Sequence, residues 1–162
     1  MNMKILSKSL NDTENTAREF VEKEFVKNSK GALVVGLYGD LGSGKTAFTQ
    51  AVAKYLGVKE TVTSPTFVIE KIYKLENGNF DHLIHIDAYR LESGKELIHL
   101  GWEEISKNPK NIIFIEWPER VAEILPKDIK KIRFTFANEN TREIEIVWRD
   151  LKLENKHSKW KV

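Results

Sequence analysis

The stretch "GDLGSGKT" at residues 39 to 46 constrains this chain more than any other. Gly39, four residues, Gly44, Lys45 and Thr46 fit the pattern of a phosphate-binding P-loop. Average residue usage gives such a match by chance in roughly one chain of this length in a hundred or two. The flanks agree with it. "ALVVGLY" (Ala32 to Tyr38) is an almost unbroken apolar run, as a strand buried on both faces should be. Beyond the loop, Phe48, Ala51, Val52, Tyr55 and Leu56 recur at helical spacing, and Gly57 stands where a C-terminal cap belongs. Strand, glycine loop and helix together aim backbone N–H groups and a helix N-terminus at an anion. Lys45 would reach the β- and γ-phosphates, and the Thr46 hydroxyl would sit on Mg²⁺. An ordinary Gly-rich turn between strand and helix would not require Lys and then Thr at that place.

The remaining elements follow from periodicity. "NDTENTAREFVEKEF" opens with cap formers, Asn11 and Glu14 fitting a capping box, and Ala17, Phe20, Val21 and Phe25 mark an amphipathic helix. "TVTSPTFVIEKIYKL" begins as a loop around Pro65 and becomes a strand with Phe67, Ile69 and Ile72 among its apolar positions. "ENGN" (Glu76 to Asn79) predicts a tight hairpin turn into "FDHLIHIDAYRL". A polar segment with a short helix leads to the buried strand of "NIIFIEWPER", broken at Pro118. "KIRFTF" and "REIEIVW" alternate on either side of "ANENT" as a terminal hairpin. These elements predict an α/β fold: a P-loop NTPase-like mixed sheet, with a parallel core and antiparallel hairpins, flanked by helices. Residues 1–150 are expected to form one domain, and 151–162 a basic tail with Trp160 as its one oddity.

Composition narrows the function classes. The 162 residues are 41% hydrophobic and 31% charged, with a formal net charge of +2. That charge is too small to argue for nucleic acid by itself. The chain has no cysteine, so a disulfide framework, a zinc ribbon or a thiol nucleophile is excluded. No apolar run approaches the roughly 18 residues of a membrane span. "MNMKILSKSLNDTE" lacks the apolar stretch of a secretory signal, so a cytoplasmic protein is expected.

Hydrolysis needs more than a phosphate cradle: Mg²⁺ held from a second strand, and a positioned water. Asp87 follows "HLIHI" and Glu116 follows "NIIFI", both at strand ends on the side where a doubly wound sheet presents its ligand. Either could be the acid on the metal side; a carboxylate there could also cap the next turn. Thr63, Ser64 and Thr66 stand in a Pro-stiffened loop that suits either a γ-phosphate switch or a plain hydroxyl-satisfied turn. His82, His85, His99 and His157 form no metal spacing, and His82 and His85 read as surface or edge residues. Lys130, Lys131 and the basic tail read as solvated charge.

"GDLGSGKT", "TSPTF", "HIDAYRL" and "IEWPER", in this order and at these separations, closely resemble the TsaE (YjeE) family. The resemblance runs from about Ser9 to about Leu125. It implies a bacterial ATPase that binds and hydrolyses ATP with Mg²⁺ for threonylcarbamoyladenosine modification of tRNA. The implied partners are a TsaB–TsaD pair, with tRNA reached only through that complex. By this resemblance Lys45, Asp87 and Glu116 carry catalysis, and Thr46, Asp87 and Glu116 hold the metal, Glu116 more closely. The nucleotide-binding positions are Gly39, Asp40, Leu41, Gly42, Ser43, Gly44, Lys45, Thr46 and the following Ala47, together with Thr13, Thr66 and Trp117. Ser43 replaces the family's more frequent Ala, and Ala88 its usual Leu. A small-metabolite kinase would want an arginine-bearing lid, and the arginines here are scattered. A GTPase would want an Asn-Lys-x-Asp selector, which the chain lacks. A non-catalytic nucleotide-dependent module remains compatible with the loop.

Overall fold

The computed structural model describes residues 2–24, 30–76 and 78–148. Seven strands form one sheet: β1 (Asn2–Ser7), β2 (Leu33–Tyr38), β3 (Glu70–Lys74), β4 (His82–Asp87), β5 (Asn111–Glu116), β6 (Lys130–Asn138) and β7 (Thr141–Val147). Their order across the sheet is β1-β7-β6-β2-β5-β4-β3. The four central strands β6, β2, β5 and β4 run parallel, whereas β3, β7 and β1 join antiparallel. The expected mixed sheet is therefore present. β2 and β5 lie in its middle because their side chains are apolar on both faces; all six residues of β5 are buried.

Each face of the sheet has its own core. Helices α1 (Leu10–Glu24) and α2 (Lys45–Tyr55) cover one face, where Phe20, Phe48, Phe114 and Phe134 meet with ring centroids 5.7 to 6.3 Å apart. Burying one such side chain contributes about 1.5–3 kcal/mol. The other face packs Ile84, Ile86, Ile113 and Ile115 against Leu97 of α3 (Gly94–His99), Trp102 of α4 (Trp102–Lys107) and Val121. Val121 kinks the 3₁₀ segment Pro118–Ile124. Gly57 has φ +81° and its N–H reaches the Lys54 carbonyl, closing α2 where the spacing predicts a cap.

Several local expectations need correction. The first helix is capped two residues earlier: Ser9 Oγ accepts the Asp12 N–H, and Asp12 Oδ2 accepts the Lys8 N–H. Glu14 instead pairs with Lys54 at 2.8 Å, so a contact between helices outcompeted the local cap. Phe67 and Ile69 lie outside β3. The Val68 and Ile69 N–H groups fold back onto the Pro65 carbonyl, Ile69 takes φ +68°, and Phe67 is 84% exposed. β1 has no counterpart in the sequence reading; its Met3 and Ile5 pair with Ile146 and Ile144 of β7. Phe25, Asn77 and the tail with Trp160 lie outside the described residues. Among the described residues no helix is long and apolar enough to cross a membrane.

Candidate nucleotide site

The site lies where β2, β4 and β5 end side by side. In the parallel register Leu37 stands opposite Glu116, and Glu116 opposite Asp87. The turn from β2 into α2 is made by three glycines with positive φ: Gly39 (+151°), Gly42 (+74°) and Gly44 (+111°). At Gly39 an added Cβ would lie 2.6 Å from the Phe134 carbonyl oxygen, so close packing and backbone angle both exclude a side chain. Leu41 is 80% exposed at the loop tip.

Lys45 opens α2 and folds back under the loop. Its Nζ donates to the carbonyl oxygens of Gly39 (2.6 Å) and Asp40 (2.8 Å) and lies 4.4 Å from the centre of the Trp117 ring. Burial pulls its ammonium below the ordinary 10.5, and Glu116, Glu119, Asp87 and Asp40 pull partly the other way. The next residue, Thr46, donates its hydroxyl to Glu116 Oε1 at 2.7 Å. The same oxygen is 2.8 Å from His85 Nε2. Burial raises the Glu116 carboxyl, but the donors His85 and Thr46 and the Lys45 ammonium outweigh it, so the group lies below its usual 4.5.

Asp87 is held differently. Its Oδ2 accepts the Thr66 hydroxyl at 2.8 Å, its Oδ1 accepts the Tyr89 N–H at 2.9 Å, and Thr66 in turn meets Ser64 Oγ at 2.7 Å. The Pro65 loop is thus tied to β4 through a carboxylate. Trp117 takes a left-handed backbone (φ 56°, ψ 49°), which costs a non-glycine residue about 1–3 kcal/mol. Its ring packs at a tilt of 54° against Tyr89, 5.2 Å between centroids.

A cleft of about 350 Å³ collects Leu41, Gly42, Gly44, Lys45, Thr46, Ala47, Ser64, Thr66, Asp87, Tyr89, Glu116 and Trp117. The structure therefore brings most of the sequence-predicted residues together. Gly39, Asp40 and Ser43 belong to the same loop but do not line the cleft. Thr13 is different: its hydroxyl pairs with Ser7 Oγ at 2.8 Å, and it does not line the cleft. A second cavity, of about 200 Å³, lies at Leu33 and Asp128 near the opposite ends of the strands, away from this chemistry.

His85 overturns the expectation of a surface or edge residue. It is fully buried in β4, which lies inside the sheet with β3 outside it. The signal was present in "HLIHID": a run apolar on both faces buries whatever stands within it, and period two puts His85 on the same face as Asp87. Glu119 also escaped the sequence reading. One of its carboxylate oxygens is buried without a hydrogen-bond partner among the described residues, and its charge acts on Lys45. Only the turn after Pro118 brings it there, which no local pattern announces.

The chain is also similar to known proteins. The family model described as "Threonylcarbamoyl adenosine biosynthesis protein TsaE" matches residues 7–144. The chain is 36% identical over 132 residues to the tRNA threonylcarbamoyladenosine biosynthesis protein TsaE of Rickettsia typhi, covering 81% of this chain and 88% of that protein. To the protein of the same name from Bacillus subtilis it is 39% identical over 111 residues, 68% of this chain and 66% of the other. The crystal structure of Bacillus subtilis YdiB superposes with a TM-score of 0.67 at 29% identity, covering 90% of this chain and 84% of that one. With the family model spanning nearly all of the described residues, the chain belongs to the TsaE family.

Proposed function

We propose that this chain binds ATP with Mg²⁺ in the cleft, hydrolyses it slowly alone, and serves threonylcarbamoyladenosine modification of tRNA with a TsaB–TsaD-type complex. The observation that carries this reading is the Thr46–Glu116 hydrogen bond. It joins the phosphate loop to an acid on a neighbouring strand, the pairing that metal-assisted phosphoryl transfer requires. The names of the relatives supply the pathway.

The donor set suits Mg²⁺. Thr46, Asp87 and Glu116 offer hard oxygen atoms, and among the described residues no three acidic or imidazole groups form a complete metal cage. Mg²⁺ is characteristically held by one or two carboxylates plus substrate phosphates. When bound, the ion would neutralise charge on the β- and γ-phosphates. Glu116 is the better candidate on the metal side, because both Asp87 oxygens are engaged by Thr66 and Tyr89. Asp87 instead couples the Pro65 loop to the cleft and could orient a water through its remaining lone pairs. Lys45 would exchange its two carbonyl partners for phosphate oxygens, while α2 directs its N-terminal N–H groups at the same charge. Trp117 and Tyr89 wall off the cleft beside Lys45.

Partner dependence rests on two features. Leu41, Phe67, Val68 and Tyr89 leave large apolar groups exposed on the loop tip, the Pro65 loop and the end of β4. Arg90 lies 4.7 Å from the Phe67 ring centre and Arg120 5.8 Å from that of Tyr89, so both guanidinium groups sit over aromatic rings. Fast phosphoryl transfer in P-loop proteins uses a further positive charge, worth about 10³ to 10⁵ in rate, and the partner complex is expected to supply it or to order the loop. The test is single-turnover phosphate release with ATP and with GTP, with Mg²⁺ or with EDTA, alone and with the partner pair. ATP-selective, Mg²⁺-dependent release that rises on adding partners is expected. Rapid release by the lone chain, unchanged by partners, would overturn the partner dependence; no nucleotide binding would overturn the whole reading.

A further inference from the structure

His85 is fully buried, and among the described residues its ring makes one hydrogen bond, to Glu116 Oε1 at 2.8 Å. Its other ring nitrogen, Nδ1, is also buried and has no hydrogen-bond partner among the described residues. A proton on Nδ1 would have no acceptor, at a cost of about 1–3 kcal/mol. The ring proton therefore belongs on Nε2, and the imidazole donates to the carboxylate. Oε1 consequently takes two donors, Thr46 from α2 and His85 from β4.

The register explains why a histidine can do this. Glu116 stands opposite Asp87, and His85 opposite Phe114, so His85 reaches Glu116 along the diagonal of one sheet face. Asp87, the direct neighbour, is turned away by Thr66 and the Tyr89 N–H. With Oε1 fixed from two sides, the carboxylate cannot rotate about its last bond without losing a donor. Among the described residues its second oxygen accepts no hydrogen bond, and Glu116 lines the cleft.

We propose that His85 is a positioning residue: its Nε2–H locks the Glu116 carboxylate so that the free oxygen is presented to the metal–phosphate end of the cleft. The inference rests on the reading of Glu116 as the acid on the metal side. Losing the partner behind a metal-binding group typically weakens the metal about 10- to 100-fold. A histidine that merely filled the core would affect folding stability and leave the metal untouched.

The experiment follows a fluorescent N-methylanthraniloyl ATP bound to the intact chain, first in EDTA and then through a Mg²⁺ titration. Wild type, His85→Leu and His85→Gln are compared, with thermal melting as the control for folding. The Gln amide N–H reaches about as far as the imidazole Nε2–H, whereas Leu donates nothing. His85→Leu should leave nucleotide affinity in EDTA unchanged and raise the Mg²⁺ midpoint about 10- to 100-fold, and His85→Gln should bring it most of the way back. Should the His85→Leu chain not fold, His85→Asn serves instead, because its shorter amide cannot reach Glu116. Equal midpoints in all folded variants would overturn the proposal and leave His85 a core residue. A wild-type complex indifferent to Mg²⁺ would overturn the metal-side reading of Glu116, and this proposal with it. Loss of affinity in EDTA, equal for Leu and Gln, would mark a structural role and also overturn it.

Discussion

The Thr46 hydroxyl donates a 2.7 Å hydrogen bond to Glu116 Oε1, joining two residues 70 positions apart in the chain. One sits on the first turn of the helix that follows the glycine loop, the other at the end of the neighbouring parallel strand. Glu116→Gln keeps the shape and removes the charge. Turnover should fall about 10²- to 10³-fold, as for loss of a preorganised electrostatic group, while ATP affinity changes only a few-fold. Single-turnover hydrolysis beside a binding titration checks this; equal turnover in the two chains would remove Glu116 from the reaction.

Lys45 provides the main point charge beneath the loop, held by the Gly39 and Asp40 carbonyls. Lys45→Ala should leave the melting temperature nearly unchanged and weaken ATP binding about 10- to 100-fold, the range of a hydrogen bond to a charged group. Trp117, 4.4 Å from the ammonium, makes a built-in reporter. Its emission should shift on ATP binding, and that shift should vanish in Trp117→Phe although Trp102, Trp148 and Trp160 remain.

Thr66 ties the Pro65 loop to Asp87. Thr66→Val removes the hydroxyl at nearly constant volume, so the fold should stand while the loop loosens. Hydrogen exchange at residues 61–69 should accelerate, and turnover should fall more than ATP affinity. Unchanged exchange there would show that the hydroxyl does not hold the loop.

The loop glycines are not equivalent. Gly42→Ala meets no atom within 4 Å among the described residues and bears only the strain of φ +74°, about 1–2 kcal/mol. Gly39→Ala adds a clash, 2.6 Å from both the Phe134 carbonyl oxygen and Ser43 Oγ. Urea unfolding midpoints should therefore fall further for Gly39→Ala than for Gly42→Ala. The reverse order would contradict this account of the loop.

Tyr38 supplies a pH dependence. Burial, with the Glu119 charge second, pushes its phenol up from 10.0 to about 12. Between those values the unfolded chain has released the proton and the folded chain has kept it. Stability then falls as pH rises through this window. Tyr38→Phe should flatten that decline in urea midpoints measured across the same range; an unaltered slope would show that Tyr38 does not contribute to it.

Sequence alone determined the features that are local or periodic. The glycine loop was legible because Gly39, Gly42 and Gly44 must take backbone angles that other residues avoid, and because Lys45 and Thr46 follow at a set spacing. β2 and β5 were legible because strands buried on both faces are apolar throughout. Asp87 and Glu116 stood out as acids at the ends of such runs. What only the tertiary structure decided depends on residues far apart in sequence. β1 is a short run that becomes a strand only by pairing with β7. The cap of α1 moved because Glu14 found Lys54 on another helix. The different hydrogen bonding of the two acids came from the groups folded around them: Thr66 and the Tyr89 N–H at Asp87, Thr46 and His85 at Glu116. A side chain's hydrogen-bond partner is chosen by strand order and register, and those are settled by burying two apolar faces at once, a global condition that no local spacing encodes.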